Sequence, residues 1–336
     1  MSSRSPDFSR RDAFKILGVT GAAVALSGRV GRAETSAASA TMPQGAGFYR
    51  THVGEFEVTI VSDGQFPLVP YPTFGSNASK EAVEAVLKEN FIDPAKLMGQ
   101  VNGLVIRMAG GPVTIVDTGC GKLFGPASGF YLQNLQNAGV KPADVQNVLF
   151  THLHPDHCGG AATEDGKPVY ANAKHHVHKR EVGFWTVEKP DFSKSGVPAE
   201  AQGGMIATAK KAITAPRDNL ELFDGESTEI LPGITALKTG GHTPGHCMVQ
   251  IESGGDRLLY VTDMVVQAQL VFAHPEWFVG FDTDMQATVK IRQDLFAKLA
   301  ADGTLICGSH LPFPGLGHVK KVETGYQFVP AMWNWA

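Results

Sequence analysis

With 336 residues, 43% of them apolar and 18% charged, the chain can bury a substantial core, and its length fits one large or two small domains. A formal net charge of -4 leaves no basic surplus of the kind that neutralises phosphates, so nucleic acid is excluded as an expected partner. Four cysteines, Cys120, Cys158, Cys247 and Cys307, stand far apart with no Cys-x-x-Cys pair; neither a zinc knuckle nor a dithiol redox motif is indicated, and small buried thiols are expected.

In chain order, the first feature is "SRRDAFKILGVTGAAVALSGRVGRA", where Arg10 and Arg11 precede a short Gly/Ala-rich apolar run from about Ile16 to Leu26. This has the form of a twin-arginine export signal. The run is shorter than the roughly 20 residues of a membrane span, so no stable membrane insertion is expected. The reading is a periplasmic protein, with residues 1–40 as signal peptide and disordered N-terminus and residues 41–336 as a single domain.

"FEVTIVSDG" alternates as a strand and breaks at Asp63-Gly64. "SKEAVEAVLKEN" predicts a helix capped by Ser79, with Ala82, Val83, Val86 and Leu87 at helical spacing. "VNGLVIRMAGGPVTIVDTG" predicts two strands about a Gly-Gly-Pro turn, the second ending at Asp117. A helix in "SGFYLQNLQNAG" then precedes the strand "NVLF".

His175, His176 and His178, in "AKHHVHKREVGFW", stand among Lys174, Lys179 and Arg180; they read as a strand and a solvated helix start rather than a metal site. Residues 188–204 are rich in Pro, Gly and Ser and read as a surface insertion or lid. Strands follow in "GITALKTGG" and in "HCMVQIESGGDRLLYVTD", with a hairpin at Gly254-Gly255. "DMQATVKIRQDLFAKLAADG" predicts a helix with an apolar stripe of Met285, Val289, Phe296 and Leu299, ended by Gly303, and "TLICGSH" is a last buried strand.

The chemistry concentrates in "THLHPDH", where His152, His154, Asp156 and His157 follow an apolar strand. Alternation along extended chain places His152 and His154 on one side, able to grip one divalent ion. Asp156 and His157, at the turn beyond, face a second position. More ligand-type residues end other apolar strands: His242 after "KTGG", Asp263 in "LLYVTD" and His310 in "TLICGSH". Imidazole with carboxylate suits zinc, and also manganese, cobalt or iron. Two such ions lower the pKa of a shared water from about 15.7 toward 7, and Asp156 or Asp263 is placed to carry the proton to a leaving group. His246 reads as a residue that supports the ligands from behind or packs beside them, and Cys158 as a packed thiol.

The set "VDTG", "THLHPDH", "GGHTPGH", "YVTD" and "GSH", in this order from about Phe56 to the C-terminus, resembles the metallo-β-lactamase superfamily. The resemblance implies an α/β fold, an αββα four-layer sandwich of two mixed sheets flanked by helices. It implies one ion held by His152, His154 and His242, a second held by Asp156, His157 and His310, and Asp263 bridging them. It places Asp117 behind the ligands, orienting one of them. "GSHLPFPGLGHV", "GYQFVP" and "NAKHHVHKREVGFW" are most similar to the periplasmic methyl parathion hydrolase and lactonase-like branch, whose members are often dimers. That branch implies hydrolysis of an apolar lactone, aryl ester or organophosphate triester by a metal-bridging hydroxide, with Phe124 and Trp185 lining the substrate pocket. Another lactonase branch carries Tyr where this chain has Val266. The alternatives are a thioesterase similar to glyoxalase II, for which no basic cluster is seen, and a di-iron redox protein of the same fold.

Overall fold

The computed structural model describes residues 45–334; the twin-arginine segment, and with it the expected export signal, lies outside them. One sheet contains β1 (Phe48–Val53), β2 (Phe56–Pro67), β3 (Met98–Met108), β4 (Val113–Val116), β5 (Val145–Leu149), β6 (Lys174–His178) and β7 (Leu220–Phe223), in that spatial order. The other contains β8 (Ser227–Leu231), β9 (Ile234–Lys238), β10 (Cys247–Ser253), β11 (Asp256–Tyr260), β12 (Leu305–Cys307), β13 (Leu316–Lys321) and β14 (Tyr326–Pro330), also in sequence order. Both are mixed: β4, β5, β6 and β7 pair in parallel, as do β11 and β12, and the remaining pairs are antiparallel.

The layering follows from the two-residue period of strands. Val58 and Ile60, Leu104 and Ile106, Val116 and Leu149 point into a core shared with Val249, Ile251, Leu258 and Tyr260 of the other sheet. Their chain neighbours Val61, Val105, Ile115 and Val148 point the opposite way, onto α2 (Tyr131–Asn137), α4 (Lys179–Thr186) and α5 (Ala199–Thr214). On the second sheet Met248, Leu259 and Ile306 face outward onto α1 (Lys80–Glu89), α6 (Ala268–Ala273) and α7 (Met285–Asp302). Strands hydrophobic on both faces have to be covered on both, and the result is the four-layer αββα sandwich expected.

The structure departs from the sequence reading at several places. The first strand does not end at Asp63-Gly64: β2 bulges between Ser62 and Gly64 and runs on to Pro67. Asp63 is turned inward there, its carboxylate accepting from the backbone N–H groups of Cys120 at 2.8 Å and Tyr131 at 2.6 Å. Residues 188–204 are not loop throughout, because their last part forms the start of α5. In α7 the buried face is Thr288, Arg292, Phe296 and Leu299, so a buried arginine replaces the expected apolar stripe at its centre. Ser79 caps α1 as expected, accepting from Ala82 N at 3.1 Å. Among the described residues no helix is long and apolar enough to cross a membrane.

Candidate metal centre

Parallel pairing of β4 with β5, and of β11 with β12, brings the C-terminal ends of these strands to one edge of the sandwich. Asp117 follows β4, the "THLHPDH" loop and the one-turn α3 (Pro155–Cys158) follow β5, Asp263 follows β11 and His310 follows β12; His242 arrives on the loop between β9 and β10. Asp117 and Thr262 have φ of 64° and 48°, a region that residues with a side chain rarely adopt. Side-chain hydrogen bonds hold both turns. Thr262 Oγ1 lies 2.6 Å from His246 Nε2, and the Asp117 carboxylate accepts from Thr151 N at 2.9 Å and Thr151 Oγ1 at 2.8 Å.

The edge gathers two donor sets. His152, His154, His242 and Asp263 form one, and Asp156, His157, Asp263 and His310 the other; within each set the ligand atoms all lie within 4.8 Å of one another. Asp263 belongs to both. Its Oδ2 is 3.3 Å from His242 Nε2 and 3.1 Å from His310 Nε2, and its Oδ1 is 3.1 Å from His157 Nε2. Asp156 Oδ2 lies 3.4 Å from His310 Nε2 and 3.6 Å from His157 Nε2.

Behind the cluster, outward ring nitrogens are occupied. His157 Nδ1 donates to Asp117 at 2.8 Å, His242 Nδ1 to Asp282 at 2.8 Å and His310 Nδ1 to the Gln100 carbonyl at 2.6 Å. His152 Nδ1 is 3.1 Å from the Thr151 hydroxyl, which already donates to Asp117 and so accepts from the ring. A proton held on Nδ1 leaves the Nε2 lone pair turned inward, as a metal ligand requires. Asp282 is itself held by Arg292, whose Nη2 donates to Oδ2 at 3.3 Å; this explains the arginine buried in α7.

The donor sets fit two divalent cations. His154 Nε2, His157 Nε2 and Asp263 Oδ1 are buried and make no hydrogen bond, an arrangement that costs on the order of 1–3 kcal/mol per atom unless a cation completes it. His152 and His242 point their Nε2 atoms at each other 3.2 Å apart. Burial, and then the neighbouring imidazoles, push His152 and His154 well below the usual histidine range, keeping them neutral. Burial works in the same direction at His242, His157 and His310, yet Asp263 and its neighbouring carboxylates hold all three above that range, His242 at about 9. The cluster therefore demands positive charge, which metal ions supply without protonating ligands.

Two residues that the sequence did not single out complete the frame. Glu181, in α4, is fully buried and accepts four hydrogen bonds: from Leu153 N at 2.9 Å and Trp185 Nε1 at 2.7 Å on one oxygen, from Thr243 Oγ1 at 2.6 Å and Gly245 N at 2.9 Å on the other. It ties the loop of His152 and His154 to the loop of His242. Asp282 is the other, and neither carries a local signal, since an acid in "HKREVG" or "GFDTD" looks like a solvated helix start or turn. His246 is buried between the hydroxyls of Thr239 and Thr262 and belongs to neither donor set.

Asp156, Asp263, His154 and His310 border a cavity of about 340 Å³ whose remaining lining is apolar except for Thr208. Phe124 lines it, stacked on Phe66 with ring centroids 4.7 Å apart. Ala201, Gly204, Met205 and Thr208, at helical spacing along one face of α5, form another wall. Val266 and Phe281 also line it. Trp185 is not a lining residue, contrary to expectation: it is fully buried in the core beneath, donates to Glu181 and packs edge-on against His154 with centroids 5.7 Å apart. The apolar ring that looked suited to substrate instead backs a metal-type ligand.

All four cysteines are free and buried, and burial raises each thiol, Cys307 to about 12. A soluble thiol reagent should therefore label none in the native protein and four after unfolding; labelling of Cys158 in the native state would contradict its packing beside His157.

The sequence profile of the metallo-beta-lactamase superfamily matches residues 98–310. The N-acyl homoserine lactonase of Bacillus cereus is 24% identical over 197 residues, 58% of this chain and 64% of that protein, so the chain spans less than two thirds of that relative's length. Metallo-beta-lactamase domain-containing protein 1 of Xenopus laevis is 32% identical over 108 residues, 32% of this chain and 44% of that protein. Among solved structures, AidC, a dizinc quorum-quenching lactonase in complex with a product, superposes with a TM-score of 0.80 at 28% identity, covering 86% of this chain and 98% of that one. The hydrolase AbOPH superposes with a TM-score of 0.78 at 28% identity, covering 87% of this chain and 100% of that one.

Proposed function

The chain belongs to the metallo-beta-lactamase superfamily, and from that premise we propose that it is a two-metal hydrolase of lactones bearing an apolar substituent, with zinc as the resident metal. The observation that carries this reading is the apolar cavity opening directly onto Asp156, Asp263, His154 and His310. A substrate whose apolar part fills that space presents its ester group to the donor sets. N-acyl homoserine lactonases among the relatives, and a dizinc lactonase among the structural neighbours, support it.

Two divalent ions bound here would supply Lewis acidity toward the scissile carbonyl and a water acidified toward neutral pH. The chain's own residues divide the remaining work. Asp263 has both oxygens turned to imidazoles and would serve as the ligand common to both donor sets. Asp156 is the freer carboxylate, its side chain 13% exposed against 4% for Asp263, and it borders the cavity. We assign it proton delivery to the departing alkoxide. Val266 offers no hydroxyl to the carbonyl oxygen, and the hydroxyl of Thr208 is committed to the Gly204 carbonyl at 2.9 Å. Among the described residues no side-chain hydroxyl of the cavity is then free to stabilise an oxyanion, and the cations held by the donor sets would supply that stabilisation.

A second reading, aryl ester or organophosphate triester hydrolysis, is favoured by the Phe66–Phe124 stack, which suits a flat aromatic group. Among the described residues no Lys or Arg lines the cavity, which counts against a thioesterase that recognises an anionic thiol carrier. A panel of alkyl lactones, aryl esters, phosphotriesters and thioesters, run on the zinc, manganese and cobalt forms, tests the reading; failure on every lactone in all three forms would overturn it. Elemental analysis that finds iron would favour the redox alternative.

The cavity walls make their own prediction. Phe124→Ala should shift the ratio of kcat/KM between aryl and alkyl substrates by about tenfold at unchanged metal content. A Cβ built on Gly204 meets nothing within 4 Å, so Gly204→Leu should fill the cavity without moving backbone and penalise the longest chains, by at least about tenfold. Loss of metal in either variant would show that the residue supports the donor sets instead of the substrate.

A further inference from the structure

Val266 and His310 each border two cavities. The second of these is a cavity of about 210 Å³, which meets the apolar one at these two residues. One part of its wall is Ile92, Leu97 and Met98; the other carries three carboxamides, Gln100, Gln267 and Gln269. Among the described residues no lysine, arginine, aspartate or glutamate lines it.

Backbone donors dictate which way these amides point, because a peptide N–H can be accepted only by the amide oxygen. Phe313 N donates to Gln100 Oε1 at 2.9 Å, and Leu270 N donates to Gln267 Oε1 at 2.7 Å. The Gln267 nitrogen is then the outward atom, and it donates to Gln269 Oε1 at 2.6 Å. Gln100 and Gln269 have thus both engaged their oxygens. Their NH₂ groups have no acceptor among the described residues. What remains in this cavity is donor capacity without positive charge, and donors of this kind select an oxygen acceptor.

We propose that the second cavity is a subsite for a hydrogen-bond-accepting oxygen of the substrate, an amide carbonyl or the carboxylate released by ring opening, held by the NH₂ groups of Gln100 and Gln269. This rests on the hydrolase reading above. The apolar chain and the polar end would then lie on opposite sides of Val266 and His310, with the scissile group between them at the donor sets. The enzyme's substrates would be amphipathic, and the polar cavity would distinguish an acylated amino lactone from a plain alkyl lactone of equal chain length.

The test uses Gln269→Met, which deletes the donor, and Gln269→Glu, which deletes it while keeping an oxygen for Gln267. Both are loaded with zinc and checked for two ions per chain. For each, kcat/KM is measured on an N-acyl amino lactone and on an alkyl lactone matched in length. The expected result is a fall of about threefold to tenfold in the ratio of the first to the second, carried by KM. In parallel, calorimetry measures binding of the hydroxy acid released from the alkyl lactone, which carries the carboxylate but no amide and needs no turnover. Weaker product binding with an unchanged ratio identifies the carboxylate as occupant; a changed ratio with unchanged product binding identifies the amide carbonyl. An unchanged ratio together with unchanged product binding overturns the subsite. If the wild-type protein opens neither lactone, the functional reading fails, while product binding still decides the subsite.

Discussion

Asp263→Ala is expected to yield a folded protein that no longer retains two metal ions and whose hydrolytic rate falls by at least about a thousandfold, on the order of 4 kcal/mol. The reason is that Asp263 is the one carboxylate common to both donor sets. Its Oδ2 lies within 3.3 Å of His242 and 3.1 Å of His310, and its Oδ1 within 3.1 Å of His157. Without it, the first set is reduced to three imidazoles and the second keeps Asp156 as its only carboxylate. The same deletion removes the one carboxylate that acts on all three of His157, His242 and His310 among those holding them above the usual histidine range. Metal content after dialysis, circular dichroism and turnover of the best panel substrate form the measurement. Two retained ions with activity within tenfold of wild type would remove Asp263 from the centre of the site.

Glu181→Leu is expected to act on one ion and on the fold together. It strands four donors, two of them backbone N–H groups, in the core beneath the site, at an expected cost of about 4 kcal/mol or more. Leu153 lies between His152 and His154, Thr243 follows His242, and Trp185 packs against His154, so three of the four contacts of Glu181 adjoin the first donor set, and the fourth, Gly245, is on the His242 loop. The second set is held separately, His157 by Asp117 and His310 by the Gln100 carbonyl. A chelator should accordingly strip one ion from Glu181→Leu well before the other. Glu181→Gln, which keeps an oxygen but turns an NH₂ toward donors, should show the same order with a smaller loss of stability. Equal release of both ions in the glutamine variant, with its fold intact, would show that Glu181 is only a core residue. The close approach that makes this contact depends on Gly245, where a Cβ would stand 2.4 Å from Glu181 N.

The metal-type residues were legible in the sequence because their signal is local. An imidazole or carboxylate at the end of an apolar strand can be read from the strand's own alternation, and His152, His154, Asp156, His157, His242, Asp263 and His310 all stand in such places. The two-layer β core was legible for the same reason, since Val58 and Ile60 against Val61, or Leu104 and Ile106 against Val105, alternate along the chain. Misreadings arose where a side chain's surroundings are assembled from distant segments. Trp185 looked like a pocket wall because aromatic rings serve both cores and cavities; its burial depends on how α4 packs under the β5 loop. The polar cavity was invisible because Gln100, Gln267 and Gln269 become donors only through backbone groups, of which Phe313 is far from Gln100 in the chain.

The sequence by itself thus determined the strands, the chemistry available at their ends and the capacity of the chain for two metal ions, all properties set by residues within a few positions of one another. The tertiary structure alone decided which carboxylates hold the ligands in place and which walls face a substrate. Buried hydrogen bonds and cavity surfaces are made by segments far apart in the chain, such as Glu181 with Thr243 and Gln100 with Phe313, and they exist only once the two sheets and their helices have packed.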